Sequence, residues 1–131
     1  MAALLLDANV LIPLVVTEHV HHEATTTWAS GLRTFALCPV VEGALVRFLV
    51  RLGASGRLAQ DVLRGVQARR GYEFWSDSVS YGDVDLSYVR GHRHVTDAYL
   101  VGLARSRRSK IATFDRGMAE LFPKHAILVP S

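Results

Sequence analysis

The chain has 131 residues, half of them apolar, a formal charge of +3 and one cysteine. That is enough for one packed core and too little for two domains, no apolar run approaches the ~20 residues of a membrane span, and Cys38 alone excludes an intrachain disulfide. The expectation is a single domain over residues 1–131, cytoplasmic, with no membrane association and no leader, because Leu4–Leu6 runs straight into Asp7.

Ala3–Leu6 is a short apolar run of the kind buried on both faces of a parallel sheet. Asn9 then caps a helix over Val10–Val16, with Pro13 near its first turn. Glu18–Leu32 spaces Val20, Ala24, Trp28 and Leu32 four apart, which predicts an amphipathic helix ended near Gly31. Phe35–Cys38 is a second strand. Pro39 opens a helix through Leu52 that sets Val41, Leu45, Phe48 and Leu49 on one face and Arg47 and Arg51 on another. After the break at Gly53–Gly56, Arg57–Arg70 forms a helix with Gln67 among its polar positions, and Glu73–Trp75 an edge strand. Asp77–Gly91 is read as a short helix around Val84–Val89 followed by a loop. Thr96–Arg107 is a helix, Lys110–Phe114 a strand, Arg116–Leu121 a short helix and Ala126–Val129 the last strand. Strands alternating with helices imply an α/β fold, with a central parallel sheet of four to five strands and helices on both faces.

Four carboxylates stand where such a fold gathers residues at one sheet edge. Asp7 closes the first strand, Glu42 follows the second, Asp97 opens the helix after the irregular segment, and Asp115 closes Lys110–Phe114. Crowded carboxylates raise one another's pKa unless a cation neutralises them, and oxygen ligands without a thiolate pair point to Mg²⁺, with Mn²⁺ able to substitute. Set those four aside and 15 basic residues face 8 acids, a surplus of 7 that suits a polyanion. Thirteen of the basic residues are Arg, whose planar fork matches phosphate oxygens. Arg47, one turn beyond Glu42, could orient that acid or touch phosphate. Arg116 beside Asp115, and the basic stretch with His92, Arg93 and His94 before Asp97, could meet a phosphate backbone. The tract holding His19, His21 and His22 matches no standard zinc spacing and reads as an exposed helix start. Trp75, Tyr72 and Tyr81 could stack bases, whereas Trp28 belongs to an apolar face.

The opening Leu-Leu-Leu-Asp7-Ala-Asn9-Val, the segment Pro39-Val-Val-Glu42-Gly-Ala-Leu-Val-Arg47, Val95-Thr96-Asp97-Ala98, and Ala112-Thr113-Phe114-Asp115-Arg116-Gly117 together resemble the PIN-domain family. The resemblance is strongest to the VapC-type ribonuclease toxins of bacterial type II toxin-antitoxin systems. It implies an α/β/α sandwich and makes Asp7, Glu42, Asp97 and Asp115 the catalytic, metal-holding quartet, with Asn9 and Thr113 orienting them from behind. It further implies a Mg²⁺-dependent endoribonuclease that cuts tRNA or rRNA to inhibit translation, forms a homodimer and is blocked by a cognate VapB-type antitoxin. The competing reading is a non-catalytic RNA-binding or scaffolding PIN-like domain, whose mark would be loss of an acid. An aspartyl phosphatase of the haloacid dehalogenase kind would need a second Asp where Asn9 stands, and a receiver domain would need paired acids at Asp7.

Overall fold

Successive residues of a strand face opposite sides of a sheet, so a strand buried at every position must be covered on both. That holds for Phe35–Leu37 (β2) and Ile111–Thr113 (β4), whose residues are all buried in the computed structural model, which describes residues 3–131. The other strands are Leu4–Leu6 (β1), Tyr72–Phe74 (β3) and Ala126–Leu128 (β5). All five are parallel in the order β3-β2-β1-β4-β5, with Leu5 paired to Ala36 on one side and Ile111 on the other. Among the described residues six helices complete the fold: Ala8–Val15 (α1), His22–Ala29 (α2), Pro39–Arg51 (α3), Gly56–Gln67 (α4), Arg93–Ser106 (α5) and Arg116–Leu121 (α6). Leu5, Ala36, Leu37, Ile111 and Ala112 form the middle of the core, and Val10, Leu11, Val41, Leu45, Leu103 and Ala104 pack on it from the helices. Among the described residues no helix is long and apolar enough to cross a membrane.

The strands fall where the apolar runs predict them, and β3 takes the expected edge position. Several helix boundaries differ. Asp7, not Asn9, is the N-cap residue of α1, which leaves the Asn9 side chain free to reach another strand. Helix α2 begins only at His22, because residues 17–21 are used in turns; Val20, 85% exposed, is not on the apolar face. No helix forms over Val84–Val89. There the Asp85 carboxylate accepts bonds from both the backbone N–H and the hydroxyl of Ser87, a local alternative to helical pairing, and only a 3₁₀ turn at Tyr81–Asp83 appears nearby. This segment still packs on α5, since a side chain at Gly102 would collide with Val84. Helix α5 starts at Arg93 rather than Thr96, so Asp97 lies within the helix instead of opening it.

Candidate active site

The strand order dictates where a site forms. From β1 the chain steps to β2 and β3 on one side, then resumes on the other side with β4 and β5, so the reversal point is between β1 and β4. Ligands of open parallel sheets bind in the crevice at the C-terminal ends of the two strands flanking such a reversal. Here each of those strands runs into an acid: Asp7 follows β1, and Asp115 follows β4 and caps α6, accepting from the Met118 N–H at 3.1 Å.

Asp7 is buried, with 7% of its surface exposed, and a network of short bonds ties it across the reversal. The hydroxyl of the fully buried Thr113 donates to Asp7 Oδ2 at 2.8 Å. Asn9 Nδ2 donates to the same hydroxyl at 3.1 Å, and the Asp115 backbone N–H at 3.0 Å. Asn9 Oδ1 accepts from the Phe114 N–H at 3.1 Å. The Asn9 and Thr113 of the sequence pattern are thus a single clamp that holds the ends of β1 and β4 together. Burial pushes the Asp7 carboxyl above the usual carboxylate range; the Thr113 bond and the neighbouring backbone N–H groups pull it back, and the Asp115 charge pushes it further up.

Asp97 reaches this cluster from α5. Its carboxyl is pushed up to about 6, first by burial, then by the charges of Asp7 and Asp115, with His94 one turn earlier acting in the opposite sense. Three of the four predicted acids therefore form one electrostatic unit. Glu42 does not join it in this arrangement. Its Oε2 accepts from Gln67 Nε2 at 3.0 Å and from the Tyr72 hydroxyl at 3.3 Å, on the α4 and β3 side of α3, and Arg47 is not among its partners. Among the described residues no three His, Cys, Asp or Glu side chains are already drawn into a closed metal-binding group. The donor set is nonetheless that of a hard cation: oxygens only, with two carboxyls raised by the kind of crowding that a divalent charge relieves.

The basic residues predicted to meet RNA, Arg47, His92, Arg93 and Arg116, are all exposed. The histidine tract does not converge on a point. The His22 ring nitrogen Nδ1 bonds the Pro13 carbonyl at 2.7 Å, His19 Nδ1 accepts from the His21 backbone, and the His21 ring stacks on Phe114 with centroids 4.7 Å apart. The aromatic candidates are likewise occupied. Trp75 is buried and donates to Glu73, Tyr81 stacks on Tyr99 at 4.5 Å, and Tyr72 holds Glu42.

The sequence comparisons place the chain in a family. The family model described as PIN domain matches residues 4–122. Ribonuclease VapC29 of Mycobacterium tuberculosis is 52% identical over 128 residues, covering 97% of this chain and 96% of its own length. The chain belongs to the PIN-domain family. Within that family it is of the VapC ribonuclease type, for Ribonuclease VapC38 of the same organism is also 36% identical over 126 residues, 89% of this chain and 88% of the relative. The fold matches too. A crystal structure of M. tuberculosis VapC20, described as a sarcin-ricin loop cleaving toxin, aligns with a TM-score of 0.71 at 15% identity over 91% of this chain and 95% of that one. The VapBC2 structure from Rickettsia felis, bound to a DNA fragment from its promoter, aligns at 0.66 and 15% identity over 95% and 96%.

Sequence reasoning passed over Gln67 and weighed Tyr72 only as a base-stacking residue, whereas both bond the Glu42 carboxylate. The only signal available for Gln67 was its place on the polar face of α4, which says nothing of the acid it meets from α3.

Proposed function

We propose that this VapC-type endoribonuclease hydrolyses RNA phosphodiester bonds with a divalent cation, Mg²⁺ or in its place Mn²⁺, and acts as the toxin of a toxin-antitoxin pair by cutting tRNA or rRNA. The observation that carries the reading is the convergence of Asp7, Asp97 and Asp115 at the reversal between β1 and β4, where burial and mutual charge raise two of the three. Asp7, Asp97 and Asp115 would hold the cation, with Glu42 as the fourth acid once its carboxylate turns from Gln67 and Tyr72. When bound, Mg²⁺ supplies Lewis acidity toward phosphate oxygen and lowers the pKa of water. The chain's own residues do the rest. Thr113 and Asn9 keep Asp7 and the backbone of Asp115 in fixed register. Arg116 at the start of α6, Arg47 on α3, and His92 and Arg93 at the start of α5 are exposed cations for the phosphates on either side.

Single-stranded or looped RNA suits a site of this kind, because an unstacked strand can lay its backbone into the crevice that Asp7, Asp97 and Asp115 share. A VapB-type antitoxin would block it by covering the acids or their cation, and we extend the reading to a homodimer. The non-catalytic alternative expects a missing acid, and all four are present. The test is purified protein on total RNA, with Mg²⁺ or with EDTA, followed by mapping of new ends. Discrete ends that need the cation are expected; intact RNA in both Mg²⁺ and Mn²⁺ overturns the reading. Expression alone in a bacterial host should arrest growth, and co-expression of the antitoxin encoded beside it should restore growth.

A further inference from the structure

Beside the acids the surface hollows into a cavity of about 410 Å³. Asp97 and Asp115 form one wall, and Tyr88, Met118, Leu121 and Phe122 supply an apolar one, with His94 and Glu120 as polar groups of the lining. Two of the apolar residues are unusually open for their type: Tyr88 is 48% and Leu121 44% exposed. Tyr88 meets Phe122 edge to face, with centroids 5.8 Å apart and planes at 85°, so the two rings form one continuous aromatic surface along the slot. The slot is also coupled to the acids through the chain. Asp115 caps the start of α6 and Phe122 ends it, so one short helix fixes the distance from carboxylate to aromatic wall.

An open apolar wall beside carboxylates that act on a polyanion suits an uncharged, flat part of the substrate. In RNA that part is the base. The volume lies near the low end of the range for small-ligand sites, which suits one nucleoside. We propose that this slot seats one unstacked nucleobase next to the cleaved phosphate, so that Tyr88, Leu121 and Phe122 determine which position of the RNA is presented to the acids. The proposal rests on the reading of Asp97 and Asp115 as catalytic, and it adds a recognition element to that site.

The experiment uses a short single-stranded RNA containing a mapped cleavage position, and copies in which the nucleotide on either side is made abasic in turn. Each is measured with wild type, Tyr88→Ala and Tyr88→Phe, as kcat/KM in Mg²⁺ and as Kd in EDTA. Stacking of a base on an aromatic side chain is worth ~1–3 kcal/mol. One of the two abasic RNAs should therefore lose about tenfold or more with wild type and Tyr88→Phe, and little with Tyr88→Ala, in Kd as well as in kcat/KM. Equal abasic penalties in wild type and Tyr88→Ala overturn the slot while leaving the catalytic assignment standing. An unmodified RNA that wild type binds but never cleaves overturns that assignment instead, and the EDTA binding series still decides the slot. If Tyr88→Ala leaves every RNA value unchanged and weakens only the antitoxin, the slot takes a protein side chain and the proposal is wrong. Because Tyr88 is half exposed, a melting curve should show Tyr88→Ala folded as wild type.

Discussion

The two flanks of the crevice are built differently. On the β1 and β4 flank, Asp7, Asn9, Thr113 and the Asp115 backbone share a continuous network around one buried hydroxyl. On the α3 flank, Glu42 is held by an amide and a phenol from α4 and β3, and neither Asp7 nor Asp97 feels its charge among the causes of its raised pKa. Both flanks present an acid from the pattern that marks the family, yet one is preorganised by residues with no other use and the other is stored in a neutral hydrogen-bonded seat. A carboxylate that is buried and crowded is costly until a cation arrives, whereas one that rests on Gln67 and Tyr72 costs little. On the proposed reading of the site, the first flank would be its fixed part and the second an adjustable part.

The largest effect should come from the fixed flank. Asp97→Asn or Asp115→Asn should lower RNA cleavage by about 10² or more, by analogy with removal of a transition-state stabiliser, while RNA binding in EDTA stays close to wild type. Arg116→Ala should do the reverse, weakening binding and flattening its salt dependence. Activity within a few-fold of wild type in either Asp variant would remove the distinction between the flanks. Glu42→Gln should cost less, about 10- to 100-fold, the range typical of groups that tune a metal site from its periphery. If Glu42→Gln is as damaging as Asp97→Asn in single-turnover cleavage, the two flanks are equivalent in the working enzyme.

Below these in size is the clamp itself. Thr113→Val keeps the shape of a fully buried side chain but removes the hydroxyl that serves Asp7, Asn9 and Asp115 at once. Leaving a buried polar group unpaired costs about 1–3 kcal/mol, which a denaturant titration would read as a lower midpoint at unchanged slope. The corresponding change on the other flank, Gln67→Leu, should cost under about 1 kcal/mol, since Glu42 keeps Tyr72 and access to water. A larger loss for Gln67→Leu than for Thr113→Val would invert the comparison.

How much of this could be read from the chain alone follows the same division. Four of the five strands were legible as the uninterrupted apolar runs a parallel sheet buries, whereas β3, with Glu73 at its centre, was legible only as an edge. Asp7 and Asp115 were legible because they follow β1 and β4. Asp97 was found, but as a helix opener. Its position inside α5 depends on Arg93 to Val95 being helical, which no apolar periodicity marks. Asn9 was misread as a cap because Asn before an apolar run is a common cap signal, and only the approach of β4 shows its partner over a hundred residues away. The seat of Glu42 was invisible for the same reason: Gln67 and Tyr72 become its neighbours only when α4 folds back on α3. The irregular segment before α5 defeated pattern reading altogether, since Asp85 and Ser87 satisfy each other locally and Gly102 lets the chain lie flat on a helix.

Stability measured with no RNA present tests the electrostatic claim. The Asp97 carboxyl sits near 6 rather than 3.8, from burial first and from Asp7 and Asp115 second, so the folded chain holds a proton there more tightly than the unfolded chain does. Stability then rises as pH falls through 6 toward 3.8 and is lost as pH rises through 6, the reverse of a salt-bridged aspartate. Asn at this position has no charge to bury. In EDTA, Asp97→Asn should therefore melt above wild type at pH 7.5, by on the order of 1 kcal/mol once solvent screening of a half-exposed group is allowed for, and the gap should shrink by pH 4.5. Adding Mg²⁺ at pH 7.5 should close or invert the gap, because wild type gains RT ln(1 + [L]/Kd) and the variant gains less. An offset that is the same at both pH values, and indifferent to Mg²⁺, would mean that Asp97 is not coupled to Asp7 and Asp115, and the fixed flank would reduce to Asp7 and Asp115 alone.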